Sequence, residues 1–250
     1  MNTKTLDMGI EASKIFGGQD NTKSNTLLYN QTARDFVRII TSKLPQRDRL
    51  YTLADFGSFK GELLGTIVDL LRDQKYNLST IAIDGNAKAL AENKADFKIV
   101  SDLTNVPLAD RSVDLSINRY TLAWNSLQNQ GKILEKMART CREFAIVQHA
   151  GADNYNSDAW RARMNEYLSG RDIPKIKREG HYFSSRDEIE RILQERKIPF
   201  IKLEDIKVDS VSDVFIKRYN LTPEEAVKTI EILKDKDYAM KTTWLLLLKS

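Results

Sequence analysis

Between residues 51 and 148 the chain alternates short apolar runs with segments of helical periodicity, and this alternation constrains its fold more than any other feature. Five runs read as strands: Tyr51–Phe56, Thr80–Ile83, Phe97–Val100, Val113–Ile117 and Phe144–Gln148. Helical patterns separate several of them, at Glu62–Arg72, Ala87–Asn93 and Lys132–Thr140. Strands that alternate with helices predict an α/β fold with a parallel sheet covered by helices on both faces.

The segment before the first strand has two parts. Apolar residues recur at helical spacing from Leu27 to Leu44, and Pro45 follows the last of them, which predicts an amphipathic helix with a stop. Residues 1–25 show no sustained period and are rich in turn-forming residues, so we expect a mobile N-terminal arm. The remaining residues, 26–250, are expected to form one domain.

The chain changes character after Gly151. A polar-rich helical pattern follows, and we expect residues 152–184 to form a lid or substrate-binding insert. Capping boxes beginning at Ser185 and Thr222 predict two further helices. The apolar runs Phe200–Val208 and Thr242–Leu248 are interpreted as the last two strands.

Composition limits the classes of partner. The chain has 39 Lys and Arg residues and 35 Asp and Glu residues. The resulting net charge of +4 is too small to indicate a dedicated nucleic-acid binder. The dense basic cluster Lys175–Arg178 is more typical of a solvated face. A single cysteine, Cys141, permits no internal disulfide, and no stretch approaches the roughly 20 apolar residues that span a bilayer. We therefore expect no membrane partner and a cytoplasmic location.

The turn after the first strand, from Asp55 to Gly61, is the most informative local feature. A dinucleotide-binding turn requires the spacing G-x-G-x-x-G, which lets a pyrophosphate approach the backbone. This turn has Gly57 and Gly61 in the spacing G-x-x-x-G, with bulky Phe59 between them. A nicotinamide dinucleotide is therefore disfavoured, and Asp55 offers a carboxylate for a cationic ligand group.

Asp84 ends the second predicted strand, about twenty residues after this turn. In Rossmann-like folds an acidic residue here accepts hydrogen bonds from both ribose hydroxyls. The sequence Asp84-Gly85-Asn86 is also typical of an ordinary turn and helix cap, so the spacing from the first turn carries more weight than Asp84 alone.

The ordered segments from Leu27 to Val147 resemble class I S-adenosylmethionine-dependent methyltransferases, particularly those that act on small molecules. Leu53–Gly61, Ile81–Asp84, Val100–Leu103 and Val113–Trp124 resemble the first four motifs of that family. The resemblance implies S-adenosylmethionine as cofactor, with S-adenosylhomocysteine as product. It also implies a Rossmann-like, mostly parallel seven-stranded sheet whose last strand is antiparallel.

The resemblance further implies roles for three residues. Asp102 would receive the adenine amino group, Leu103 would donate its amide to the ring, and Asn118 would face the methionyl part. Tyr29, on the predicted N-terminal helix, is a further candidate that would close over the cofactor. The whole set of candidate cofactor-binding residues is Tyr29, Asp55, Gly57, Ser58, Phe59, Gly61, Asp84, Gly85, Asp102, Leu103 and Asn118. No metal is expected.

Phe59 departs from the family, which most often has a small residue there. Either the loop takes another path and Phe59 packs on the cofactor, or cofactor binding is weakened or lost. The second outcome would make the chain a non-catalytic binding module.

Candidates for a general base are the two histidines, His149 after the fifth strand and His181 in the loop before a capped helix. A structural or surface role is the alternative for each. Four aromatic residues could line an acceptor pocket, although they could equally belong to the core: Tyr120, Trp124, Tyr155 and Trp160. The leading hypothesis is methyl transfer to a small molecule, by a chain that could form a homodimer. RNA or protein is the alternative acceptor, motivated by a pI near 8.9.

Overall fold

The computed structural model describes residues 22–44, 49–149, 182, 184–203, 222 and 242–247. Its helices are α1 (Thr22–Lys43), α2 (Glu62–Asp73), α3 (Ala87–Glu92), α4 (Leu127–Thr140) and α5 (Arg186–Glu195). Its strands are β1 (Leu50–Phe56), β2 (Asn77–Asp84), β3 (Phe97–Val100), β4 (Val113–Arg119), β5 (Cys141–His149), β6 (Phe200–Lys202) and β7 (Thr242–Leu247). Short 3-10 helices follow β3 at Leu103–Asn105 and β4 at Thr121–Trp124.

The strands form one seven-stranded sheet in the order β3-β2-β1-β4-β5-β7-β6. The first five strands in this order pair in parallel, whereas β7 is antiparallel to both β5 and β6. The predicted fold class, including the antiparallel last strand, is therefore confirmed. Because the chain runs outward from β1 to β3 and then returns to the other side of β1 as β4, the strand order reverses between β1 and β4. Open α/β sheets bind ligands in the crevice at that point, beyond the carboxyl ends of the strands.

A separate apolar layer covers each face of the sheet. One layer packs α1 and α2 against the sheet around residues such as Phe36, Ile67 and Leu115. The other layer includes Phe56, Ile133 and Trp244, and it packs α4 and α5 on the opposite face. Because both faces are covered, β4 is buried at six of its seven positions, although apolar and polar residues alternate along it.

The predicted elements lie in the right order, but several boundaries differ. β2 begins three residues before the predicted Thr80, and α4 begins at Leu127 rather than at the predicted Lys132, because Ser126 caps the helix by accepting from the Asn129 amide. α1 begins at Thr22, so residues 22–25 of the predicted arm are helical. These polar residues carry no apolar period, and periodicity alone could not include them in the helix.

The capping box at Ser185 is confirmed, since the Ser185 hydroxyl accepts from the Glu188 amide and the Glu188 carboxylate accepts from the Ser185 amide. Several predictions lie outside the described residues: the arm up to residue 21, the helix opening near Thr222, and all of the insert except Tyr182 and Ser184. The same holds for His181, Tyr155, Trp160 and the side chain of Tyr29.

Within the described part of the chain, no helix is long and apolar enough to cross a membrane. Those same residues contain no cluster of His, Cys, Asp and Glu side chains that could hold a metal ion.

Candidate functional site

The turn from Gly57 to Gly61 lies at the carboxyl end of β1, beside the point where the strand order reverses. Gly57 and Gly61 have φ of 84° and 82°, which glycine adopts without strain. The Gly57 and Ser58 amides donate to the Ile83 carbonyl oxygen at 2.8 and 3.1 Å. On the other side, Asn93 Nδ2 donates to Ser58 Oγ at 2.9 Å and to the Phe59 carbonyl at 3.2 Å. The turn is therefore fixed to β2 and to the end of α3.

Phe59 lies in this turn with a left-handed backbone, at φ 50°. For a residue with a Cβ this conformation costs roughly 1–2 kcal/mol, which explains why a glycine is usual at such a position. The Phe59 amide nevertheless donates to Asp84 Oδ2 at 2.9 Å. The turn thus keeps its hydrogen bond to β2 despite the bulky side chain. The packing of Phe59 on a cofactor stays a prediction.

Gly57 is needed for a second reason, which is the close approach of Thr121. A Cβ placed on Gly57 would lie only 2.1 Å from Thr121 Oγ1. Thr121 begins the 3-10 helix after β4 and donates its hydroxyl to the Gly57 carbonyl at 3.4 Å. The segment after β4 therefore packs directly on the glycine turn.

Asp84 holds two backbone segments with its two carboxylate oxygens. Oδ2 accepts from Phe59 as described, and Oδ1 accepts from the Asn86 amide at 2.8 Å. Asn86 in turn caps α3 by accepting from the Ala89 amide at 3.0 Å. The turn-and-cap interpretation of this sequence is thus correct, but it does not exclude ligand binding, since each carboxylate oxygen can accept more than one hydrogen bond. Burial raises the pKa of the Asp84 carboxyl, against the effect of these amide donors.

Asp55 is the buried carboxyl of the site, with 4% of its surface exposed. Burial, followed by the nearby charge of Asp84, raises its pKa to about 7. A hydrogen bond from Ser58 and the positive charge of Arg119 oppose that rise. Because ionised Asp55 is poorly compensated within the protein, a cationic ligand group would stabilise it.

Asn118, the penultimate residue of β4, is fully buried and connects β4 to β1. Its Nδ2 donates to the Phe56 carbonyl at 2.6 Å, just before the glycine turn. Its Oδ1 is buried without a hydrogen-bond partner. Buried acceptors are rarely left unsatisfied, so this oxygen marks a position where a ligand donor would be favourable.

The predicted adenine-binding residues follow β3. The Asp102 carboxylate accepts from the Thr104 amide at 2.8 Å and from the Thr104 hydroxyl at 2.9 Å, and so caps the first 3-10 helix. Leu103 is buried beneath it. The Ser101 amide donates to the Asp84 carbonyl at 3.1 Å, which connects this segment to the end of β2.

His149 ends β5 and is fully buried. Its Nε2 lies 3.2 Å from the Ser184 carbonyl oxygen, whereas its Nδ1 has no hydrogen-bond partner. Burial lowers the pKa of the ring to about 4, so His149 is neutral near pH 7. Its predicted role as a base stays a prediction.

Gln130, which the sequence did not single out, connects the segments around His149. Its Nε2 donates to the Asn125 carbonyl at 3.0 Å and to the Tyr182 carbonyl at 2.7 Å, while Oε1 accepts from the Ser184 hydroxyl. The signal available in the sequence was a glutamine on the apolar face of the helix, at helical spacing from Ile133, Leu134 and Met137.

Two of the predicted pocket aromatics follow β4. The guanidinium carbon of Arg119 lies 4.4 Å from the centre of the Tyr120 ring, and Trp124, at the end of the second 3-10 helix, is partly exposed. Arg119 was not predicted as a site residue, although the neighbouring Asn118 was. The available signal was a charged residue at the end of a strand whose other positions are buried.

Comparison with known proteins agrees with this geometry. Residues 56–146 match the family model described as a methyltransferase domain, which spans the glycine turn, Asp84, Asp102 and Asn118. Over these residues the chain matches a methyltransferase domain, and its seven-stranded sheet has the Rossmann-like fold of such enzymes. A comparison with curated protein sequences gives no significant match to the chain.

Several solved structures are similar to the chain. One is a loganic acid methyltransferase with S-adenosylhomocysteine, at TM-score 0.56 and 10% identity, and the match covers 92% of this chain and 95% of the other. A Thermotoga maritima protein described as a possible histamine N-methyltransferase has TM-score 0.55 and 12% identity, with coverages of 94% and 99%. Geranyl diphosphate methyltransferase with geranyl diphosphate and sinefungin has TM-score 0.52 and 12% identity, with coverages of 85% and 76%. At these identities the likeness shows the fold.

Proposed function

We propose that this methyltransferase transfers a methyl group from S-adenosylmethionine to a small-molecule acceptor. One observation carries the cofactor part of the proposal. Asp55, Asp84 and the unsatisfied Oδ1 of Asn118 belong to the last two residues of β1, β2 and β4, at the carboxyl edge of the sheet where the strand order reverses. Three polar acceptors around a glycine turn match a ligand that is rich in donors.

The residues present fit S-adenosylmethionine group by group. The ribose has two hydroxyl donors, and Asp84 has acceptor capacity beyond the two amides that it holds. The methionyl ammonium is a cation with several donors, which suits Asp55 and Asn118 Oδ1. Asp102 and Leu103, which follow β3, would contact the adenine.

When bound, S-adenosylmethionine would supply the methyl group: its bond to sulfur would break as a lone pair of the acceptor formed the new bond, leaving S-adenosylhomocysteine. The protein's task is to align the acceptor with the methyl group, and positioning alone can lower such a barrier by several kcal/mol. The fixed glycine turn and the Asp84 carboxylate would hold one reactant. Tyr120 and Trp124, after β4, would contact the other.

A small acceptor is favoured by the modest net charge of +4 and by the aromatic residues after β4. It also agrees with the names of the structural neighbours, which specify loganic acid, geranyl diphosphate and histamine. RNA or protein remains the alternative acceptor from the sequence, and a homodimer stays a prediction.

Calorimetric titration with S-adenosylhomocysteine tests the cofactor part. We expect the wild-type chain to bind, and Asp84→Ala to weaken binding at least tenfold, because hydrogen bonds to a charged acceptor contribute roughly 1.5–3 kcal/mol each. Asp110→Ala is the matched control, since this carboxylate is 53% exposed and pairs with the exposed Arg139. The proposal would be abandoned if the wild type did not bind, or if Asp84→Ala and Asp110→Ala bound alike.

The acceptor part has its own test. Protein purified from its native source would be extracted and analysed by mass spectrometry for a bound small molecule. Incubating each candidate with S-adenosylmethionine labelled in the methyl group should then transfer the label to it. Label found instead in RNA or protein, and in no small molecule, would contradict a small acceptor.

A further inference from the structure

β3 is an edge strand of the sheet, paired in parallel with β2 on one side only. The Ser101 amide donates to the Asp84 carbonyl of β2 at 3.1 Å, and Asp84 is the register partner of Val100. Because backbone N–H and C=O groups alternate between the two sides of a strand, this bond directs the backbone groups of Lys98 and Val100 away from β2. In the described part of the chain no other strand pairs with these outward groups.

The side chains of β3 leave this edge open to a second strand. Phe97 and Val100 are 61% and 47% exposed, which is high for large apolar residues. Lys98 is the one charged residue of the strand. Natural proteins cover or charge such an edge, because its unpaired backbone groups are a template for pairing with another chain. A single lysine gives β3 limited protection against such pairing.

The edge continues beyond β3 to Asp102, whose backbone is extended at φ −63° and ψ 127°. Side chains alternate with period two, so Lys98, Val100 and Asp102 lie on the same face of this edge. All three are exposed. The face therefore presents a cation, an apolar side chain and an anion, in that order. This order is self-complementary, because reversing the direction of the segment exchanges the two charges around the same centre.

We propose that β3 pairs with β3 of a second copy of this chain, antiparallel and centred on Val100. A twofold axis there places the two Val100 residues opposite each other and Lys98 of each copy opposite Asp102 of the other. Each Val100 amide then donates to the carbonyl of its counterpart, and two ion pairs form across the strands. The two seven-stranded sheets become one continuous sheet. This interface does not depend on the proposed function.

The charges select this register over its neighbours. A twofold axis at Lys98 would place two lysines directly opposite each other. An axis at Ile99 would place Asp102 of each copy opposite Asp96 of the other, and like charges in opposed positions destabilise a strand pair. Only the register centred on Val100 pairs opposite charges on this face while it aligns the outward backbone groups.

Two cysteine variants test the register. In an antiparallel pair that exchanges hydrogen bonds the Cα atoms lie about 5.5 Å apart, within the range of roughly 4.4–6.8 Å that a disulfide spans. Val100→Cys should therefore form an intermolecular disulfide on oxidation. Phe97→Cys is the matched control, since it is exposed on the same strand but would lie about 20 Å from its counterpart, at roughly 3.4 Å per residue. The native Cys141 is buried and is the same in both variants.

The covalent dimer should form at least about tenfold faster with Val100→Cys than with Phe97→Cys, because thiols held together in a complex have a high effective concentration. Equal rates would overturn the proposed register and the interface with it.

Sedimentation equilibrium over a range of concentrations tests the interface without a crosslink. The wild type should form a dimer as its concentration rises. Lys98→Pro removes an outward N–H that the pairing uses and no bond to β2, and Lys98→Glu places two carboxylates opposite each other. Each should raise the dissociation constant of the dimer at least about tenfold. Lys132→Glu, at an exposed position on α4, is the control for the change of charge.

Thermal unfolding would establish that each variant is folded. A wild type that stays monomeric at every concentration would overturn the proposal, and this is also the result expected if the strand that covers β3 belongs to a different protein. A dimer that persists in Lys98→Pro would overturn it as well, because the interface would then lie elsewhere on the molecule.

Discussion

Replacing Asp55 by asparagine should stabilise the ligand-free protein above neutral pH while it weakens cofactor binding. The pKa of Asp55 is about 7 in the folded protein, against an ordinary value of 3.8. The folded state therefore binds the proton more tightly than the unfolded state does. The contribution of Asp55 to the free energy of unfolding is most favourable below pH 4. It decreases between pH 4 and 7, and the full destabilisation is present above pH 7.

The size of the penalty follows from that difference of about 3 pH units. At 1.36 kcal/mol per unit it amounts to about 4 kcal/mol above pH 7. Asparagine keeps an oxygen that can accept from Ser58 but adds an amide that must find an acceptor, so we expect a gain of about 2–4 kcal/mol at pH 8. For a domain of this size that corresponds to a rise in Tm of about 5–15 °C.

Thermal unfolding of both proteins at pH 5 and pH 8 is the first assay. Asp55→Asn should raise the Tm at pH 8 and have a much smaller effect at pH 5. Asp110→Asn, at an exposed ion pair, should change the Tm little at either pH. If Asp55→Asn left the Tm at pH 8 unchanged or lowered it, the account of Asp55 as an uncompensated buried charge would be wrong.

Cofactor affinity gives the second assay, with the opposite sign. Because a cation binds the ionised carboxyl, wild-type affinity for S-adenosylhomocysteine should rise toward tenfold per unit from pH 5 to pH 7 and then level off. Asp55→Asn should bind more weakly at pH 8 and should lose this slope. A slope that persisted in the variant would assign the titration to another group.

Three further predictions concern the frame of the site. Gly57→Ala should destabilise the protein by more than about 2 kcal/mol, because its Cβ would overlap Thr121, and adding Thr121→Gly should recover part of the loss in denaturant titrations. Phe59→Gly should be more stable than Phe59→Ala by about 1 kcal/mol in the same assay, since only glycine relieves the left-handed backbone; equal stabilities would refute the strain. Gln130→Leu should lower the free energy of unfolding by about 2–4 kcal/mol, because the Asn125 and Tyr182 carbonyl oxygens and the Ser184 hydroxyl lose their hydrogen bonds to the Gln130 amide. An unchanged unfolding midpoint would show that water replaces the amide.

The sequence predicted the sheet well because most of its strands are short, largely apolar runs bounded by turn residues. Phe97–Val100 is an example, and the structure places this edge strand at the predicted residues. Helix starts were less predictable. The beginning of α4 depends on a single hydrogen bond from the Asn129 amide to Ser126, which leaves no periodic signal.

The candidate site divides in the same way. Asp55, Asp84 and the glycines could be found because strand ends in a parallel sheet converge, so spacing along the chain becomes proximity in space. Gln130 and Arg119 were not predicted, because each leaves only a weak local signal in the sequence, and the contacts of Gln130 are set by packing between distant segments. Gln130, for instance, donates to the Tyr182 carbonyl 52 residues away, a contact that no local pattern encodes.

The position of β7 in the sheet has a consequence for the order in which the chain folds. This strand lies between β5 and β6, although it follows both in sequence. The Gln148 side-chain amide of β5 donates to the Thr243 hydroxyl of β7, a contact between residues 95 positions apart. Contacts of such separation form late, since a long loop must close first. The half of the sheet from β1 to β5, which carries the glycine turn and Asp84, can assemble while β6 still has no partner strand. Synthesis would therefore complete the proposed cofactor half first, and the arrival of Trp244 and its neighbours would join β6 to the sheet.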